Sequence, residues 1–138
     1  MPADVSITLG TFAGRRCASS GSPWEPVVGY SRAVRSGDLI AVSGTVGLNP
    51  DRSYPSGAAA QTRRALEIVQ AAIEALGGTL AHVIRTRIFV VDIAQADVIG
   101  AVHGEFFRDV RPACTMVQVA RLINDAALVE IEADAVVS

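Results

Sequence analysis

Hydrophobic and polar positions along this chain recur with two different periods, and the changes of period divide it into elements. Between Ala58 and Leu76, the residues Thr62, Ala65, Leu66, Val69, Ala72, Ile73 and Leu76 fall at spacings of three and four. Arg63, Arg64, Glu67, Gln70 and Glu74 take mostly the remaining surface. Residues three or four apart share one face of a helix, so this stretch predicts an amphipathic helix, and Gly77-Gly78 stops it. From residue 83 to 91 the chain reads VIRTRIFVV, a β-branched run that predicts an interior strand. Ile84, Thr86, Ile88 and Val90 take one face of it, and Arg85, Arg87 and Phe89 the other. Asp92 followed by Gln95 resembles a capping pair and opens a second helix, with Ile93, Ile99, Val102 and Phe106 on its buried stripe. Pro112 marks its far limit.

The other strands follow the period of two. YSRAVR and LIAVSG flank Ser36-Gly37-Asp38 and read as an antiparallel hairpin, while residues 47–57 form a polar loop. CTMVQVARL places Thr115, Val117 and Val119 on one face, which suits a core, and Cys114, Met116 and Gln118 on the other. In LVEIEADAVV, Val129, Ile131, Ala133 and Ala135 oppose Glu130, Glu132 and Asp134. Residues 1–29 are expected to be irregular, apart from a short strand at VSITL. The expected fold is α+β, with the order β-β-α-β-α-β-β in a single domain spanning residues 1–138. Crossover connections are nearly always right-handed, which puts both helices on one side of a mixed sheet. Its other face would hold Cys114, Met116, Gln118, Glu130, Glu132, Arg85, Arg87 and Phe89. That mixture is too apolar to leave bare and too polar to bury without partners.

Composition points the same way. Half of the 138 residues are hydrophobic, the mean hydropathy is +0.36 and 19% are charged, which is apolar for a small monomer. Part of the surplus is expected to meet another subunit. The net charge is −2 and all twelve basic residues are scattered arginines, so no footprint for nucleic acid or an anionic membrane is expected. The N-terminus lacks a basic region followed by an apolar run, and no apolar segment approaches the ~20 residues that span a bilayer. Cys17 and Cys114 lie far apart, outside any CxxC or His-paired spacing. A reduced, cytoplasmic protein without disulfide, metal or cofactor is the expectation.

The segments GYSRAV, VSGTV, RTRIFVVDI, RPACTMVQVARL and VEIEADAV, in this order, resemble the Rid/YjgF family, also labelled translation inhibitors or L-PSP endoribonucleases. The similarity runs from about Tyr30 to the C-terminus. It implies a chorismate-mutase-like homotrimer with three clefts between subunits. In the best-understood branch that cleft hydrolyses 2-imino acids, or their enamine tautomers, to 2-keto acids and ammonia. There an arginine on the fourth strand grips the substrate carboxylate, a glutamate on the last strand positions water, and a tyrosine and a Ser-Gly pair complete the wall. By motif these are Tyr30, Ser43-Gly44 and Glu130 here. The arginine is replaced by Cys114, the branch's cysteine by Met116, and a cleft asparagine by Gly100. A thiol cannot form a bidentate ion pair, so the resemblance implies a substrate other than the usual 2-imino acids. Arg87, on the face of Phe89, and Arg111, just before the strand, are the candidates for a replacement charge. The SSGSPWE loop, with Arg16 before it and Trp24-Glu25 within it, offers a different binding wall.

Each of these residues also has a plainer reading. Glu130 either orients a water or belongs, with Glu132 and Asp134, to the wetter side of a strand paired to Arg85 and Arg87. Cys114 is a nucleophile only if a base activates it, for which His82 and His103 are the imidazoles available; otherwise it is a small apolar filler. Tyr30 is a cleft wall or an interface aromatic. Ribonuclease action would need a basic track and a paired acid and base. The sequence therefore favours a small-molecule hydrolase acting on an imine or enamine. A non-catalytic ligand-binding or regulatory protein using the same cleft comes second, and an endoribonuclease third.

Overall fold

The computed structural model describes residues 4–138. Seven strands form one mixed sheet: β1 (Thr8–Phe12), β2 (Arg15–Ser19), β3 (Ala33–Ser36), β4 (Leu39–Val46), β5 (Val83–Val90), β6 (Ala113–Gln118) and β7 (Val129–Val136). Their spatial order is β1-β2-β3-β4-β7-β5-β6. Every neighbouring pair is antiparallel except β5 with β6. Helices α1 (Ala58–Ala75) and α2 (Ala96–Phe107) pack on one face. Among the described residues no helix is long and apolar enough to cross a membrane.

The strongest periodicities became the core. Thr62, Ala65, Leu66, Val69, Ala72, Ile73 and Leu76 are all buried, against Val129, Ile131, Ala133 and Ala135 of β7 and Ile40 and Val42 of β4. Gly77 ends α1 in the left-handed region at φ 89°, and the Gly78 N–H reaches back to the Ile73 carbonyl at 2.9 Å. The 33–46 hairpin turns at Gly37, φ 60°, with Ser36 opposite Leu39.

Five expectations need correction. The N-terminal segment is not irregular: β1 and β2 form a hairpin whose two-residue turn, Ala13-Gly14, has φ of 52° and 74°. Positive φ at both positions suits the right-handed twist of the strands, but alanine is an unusual residue there, so the turn left little trace in the sequence. Second, Arg64 of α1 is buried, because its guanidinium meets Asp4 at 2.9 Å, Glu67 at 3.5 Å and the Leu48 carbonyl at 3.0 Å. Third, a register shift between Val83 and Arg85 turns Val83 inward and leaves Ile84 exposed. Fourth, Asp92 caps a single 3-10 turn at Ile93–Gln95, which carries Ile93 outward, and the buried phenylalanine of α2 is Phe107, with Phe106 only half-buried.

The fifth concerns the faces of β6, which are the reverse of the expected ones. Thr86, Ile88 and Val90 pair with Cys114, Met116 and Gln118, and residues opposite each other in a ladder share a face. Cys114, Met116 and Gln118 therefore lie on the helix side, where Met116 packs against the core and the Gln118 Oε1 accepts the Ile93 N–H at 2.9 Å. Thr115 and Val117 lie on the open side with Arg87 and Phe89. Because β6 is an edge strand whose residues are exposed apart from the half-buried Met116, neither of its faces needed a core composition.

Candidate functional site

The open face of the sheet carries one carboxylate in a shaped environment. Glu130 stands at the start of β7, opposite Phe89 of β5 and Val46 of β4. The β4 ladder is interrupted there: Val42 pairs with Ala133 and Thr45 with Ile131, so Ser43 and Gly44 form a bulge. The bulge is tied to the segment before β3 by the Ser43 N–H on the Arg32 carbonyl, 2.9 Å, and by the Ser43 hydroxyl on the Ser31 carbonyl, 2.6 Å. A Cβ on Gly44 would sit 2.5 Å from the Glu130 Oε1, so the carboxylate occupies space that only glycine leaves open.

Beneath this contact lies a cation that the sequence reading passed over. Arg32 is 7% exposed. Its Nη1 donates to the Gly44 carbonyl at 2.6 Å and to the Thr45 hydroxyl at 3.2 Å, its Nε to the Ser20 hydroxyl at 3.2 Å, and its Nη2 to the Tyr30 hydroxyl at 3.4 Å. The guanidinium carbon is 5.5 Å from the centre of the Tyr30 ring. Burial pushes the Glu130 carboxyl above its ordinary value; the Arg32 charge pulls against this, and Glu132 adds to it. Tyr54, from the 47–57 loop, is the second residue missed. Its phenol is pushed up by burial and then by the Glu130 charge. Neither residue had a readable signal: Tyr54 lies in a polar loop, and Arg32 in an alternating strand sequence looks like any solvent-facing arginine.

The remaining wall is the segment between β2 and β3. Glu25 is 7% exposed, and its Oε2 accepts from the backbone N–H of Ser20 at 3.3 Å and of Ser22 at 3.2 Å. A single π-helical turn, Glu25–Gly29, follows, closed by the Tyr30 N–H on the Glu25 carbonyl at 3.0 Å. The Tyr30 hydroxyl donates to the Ser22 hydroxyl at 3.4 Å. Tyr30, Gly44, Glu130 and Phe89 are thus brought together with Arg32, and Ser43 holds the bulge from behind.

The other candidates are elsewhere. Arg87 shares the open face but is engaged by Glu132 at 3.0 Å and Asp134 at 3.5 Å. Arg111 is exposed with φ 54°; its N–H and Nε bond to the Phe107 and Arg108 carbonyls, at 2.8 Å and 3.2 Å, and so close the end of α2. Cys114 and Met116 lie on the opposite side of the sheet from Glu130. There Thr86, the ladder partner of Cys114, meets the His103 Nε2 at 2.9 Å, and burial holds His103 below its ordinary value, so the ring is neutral at pH 7. Gly100, on α2, faces open space. Among the described residues no three His, Cys, Asp or Glu side chains converge as metal ligands would. Within one chain, then, the Glu130 group and the Cys114 group cannot contact the same small molecule.

Residues 21–137 match the Endoribonuclease L-PSP family. The chain is 45% identical to Rv2704 from Mycobacterium tuberculosis, a member of the YjgF/YER057c/UK114 family; the match covers 96% of this chain and 100% of that one, with a TM-score of 0.81. It is 36% identical, over 111 residues, to the 2-iminobutanoate/2-iminopropanoate deaminase of Escherichia coli, covering 78% of this chain and 86% of that one. E. coli TdcF, solved with bound serine, is 33% identical with a TM-score of 0.75, over 79% of this chain and 88% of the other.

Proposed function

Because the chain belongs to the Endoribonuclease L-PSP family, the family of the RutC and YjgF proteins, we propose that it is a small-molecule hydrolase that deaminates a reactive imine or enamine. The observation that carries this reading is the Glu130 carboxyl, held against the Gly44 backbone, raised by burial and moderated by Arg32. A carboxyl titrating nearer to neutrality can accept a proton from water and return it within one turnover. Water oxygen attacks the C=N carbon as Glu130 takes one water proton and passes it to the nitrogen, giving the carbinolamine; Glu130 then takes the hydroxyl proton and delivers it to the same nitrogen, so the C–N bond breaks as the carbonyl forms. Water plus imine give a carbonyl compound plus ammonia, with no redox partner required. The deaminase-named relatives support this chemistry, and the serine-bound one supports a small ligand.

The site is completed between copies. Glu130 and Cys114 occupy opposite faces of one sheet, and β6 is an edge strand, so a neighbouring chain's β6 and α2 can be laid over the first chain's open face. Exposed Val117 and Leu39 on that face favour such closure, and a homotrimer with three clefts is the assembly proposed. Cys114 brings no guanidinium to its position and Arg87 is engaged by Glu132 and Asp134, so a substrate without the carboxylate of a 2-imino acid is the one favoured. The same substitution favours a second reading, a ligand-binding protein without turnover.

Ammonia release decides between them. Imines generated in situ by an amino acid oxidase, and carboxylate-free imines formed from amines, are each mixed with the protein and with its Glu130→Gln variant. Acceleration that is lost in the variant supports hydrolysis. Binding without acceleration by any substrate establishes the second reading.

A further inference from the structure

The β1–β2 hairpin lies outside residues 21–137, the stretch that matches the family, and it creates a cleft of its own. Between the open side of β1, β2 and β3 and the segment 20–31 is a space of about 750 Å³, within the range of pockets that hold a small organic molecule. Most of its surface is apolar: Phe12, Cys17, Pro26 and Val34 contribute to it, and Phe12 remains 68% exposed.

Its two ends differ. At one, the hydroxyls of Ser22 and Tyr30 meet beside the buried Glu25 carboxylate, which would repel an anion. At the other is Arg15, the only cation among the lining residues, whose guanidinium has no hydrogen-bond or ion-pair partner among the described residues. Arg15 and Ser19 are the two ends of β2, roughly 13 Å apart at strand rise. The ligand this arrangement selects is therefore elongated and apolar, with its charge at the Arg15 end.

We propose that the cleft under the β1–β2 hairpin binds a small apolar organic anion, with the anionic group on Arg15 and the apolar body running toward Tyr30. Tyr30 also contacts Arg32, so the new site abuts the Glu130 site. It does not depend on Glu130 being catalytic.

The test uses the full chain and two probes: 8-anilinonaphthalene-1-sulfonate, an apolar aromatic anion read by fluorescence, and octanoate as competitor. Two variants accompany it. Arg15→Gln removes the charge from an exposed side chain that supports nothing else in the described chain. Gly10→Leu fills the cleft from β1, where an added Cβ meets only the Phe12 ring at 3.7 Å. One dye per chain is expected, displaced by octanoate about tenfold better than by octanol, and bound about tenfold more weakly by each variant at unchanged melting temperature. Absence of dye binding, equal displacement by octanol, or dye affinity unchanged in either folded variant overturns the proposal.

Discussion

The carboxylate of Glu130 lies over Gly44 so closely that a methyl group added to Gly44 would stand 2.5 Å from its Oε1. The obstructing atom is the end of a flexible side chain, so in Gly44→Ala the carboxylate moves and the backbone stays. A stability loss of about 1 kcal/mol is expected, with the Glu130 titration shifting toward that of a free glutamate as it gains solvent. Gly47→Ala is the contrast: its Cβ would strike the Gln61 backbone carbonyl of α1, and a loss of about 3 kcal/mol or more is expected. Urea unfolding of both variants, with carbon-detected titration of Glu130, checks the pair. Equal stability losses would refute this distinction.

Arg32 connects the bulge, Tyr30 and Ser20 through one buried guanidinium. Arg32→Met leaves the Gly44 carbonyl and the Thr45 hydroxyl without this donor and should cost about 3 kcal/mol. The loss of positive charge should also raise the Glu130 pKa further, since Arg32 is what opposes the effect of burial. Arg32→Lys keeps the charge without the fork, so it should restore the titration more fully than the stability. If Glu130 titrates identically in all three proteins, Arg32 is a structural clamp alone.

How much of this was legible in the sequence depended on whether a residue's surroundings came from its own element. α1 and β7 each bury one stripe against the other, so Leu66, Val69, Ile131 and Ala133 announced themselves by spacing. β6 could not do so: Thr115 and Val117 are as apolar as Cys114 and Met116, and an edge strand has no fully buried side to break the tie. The β1–β2 hairpin was hidden because all five residues of β1 are exposed, which removes the alternation that marks a strand. Glu130, Gly44 and Tyr30 were placed by motif. Arg32 was not, because its burial is imposed by Ser20 and by Gly44 and Thr45 of β4, which lie 12 or more residues away on either side of it.

Two half-buried titrating groups give opposite pH dependences. Glu130 has its folded pKa raised above the ordinary 4.5, so the native state binds the proton more tightly than the unfolded state. Its contribution to stability is full below pH 4.5 and is lost as pH rises through the folded value. His103 is lowered from 6.5, so the native state resists protonation, and its contribution is lost as pH falls below 6.5. Glu130→Gln should therefore gain stability relative to the parent as pH rises from about 4 toward about 8, upward through the ordinary value of 4.5. His103→Gln should gain as pH falls from 7 toward 5, the interval about its ordinary value of roughly 6.5. Urea midpoints across that range decide both, and parallel curves for variant and parent would remove the assigned cause.

Cys114 stands where the resemblance places a carboxylate-gripping arginine, exposed at the sheet edge with Thr86 and the neutral His103 beside it. Cys114→Arg introduces a guanidinium without displacing core atoms, because only Met116 of that strand face packs inward. If a neighbouring copy supplies Glu130 across the cleft, the variant should deaminate 2-iminopropanoate faster than the parent by about tenfold or more, the worth of one charge-assisted bidentate contact. Thr115→Arg places the same charge on the opposite face of β6 and should give no such gain. The comparison requires sedimentation showing that both variants keep the parent's oligomeric state. With that state intact, an unchanged rate in Cys114→Arg would mean that the face of β6 carrying Cys114 does not meet Glu130 of another chain, and the intersubunit cleft proposed above would have to be abandoned.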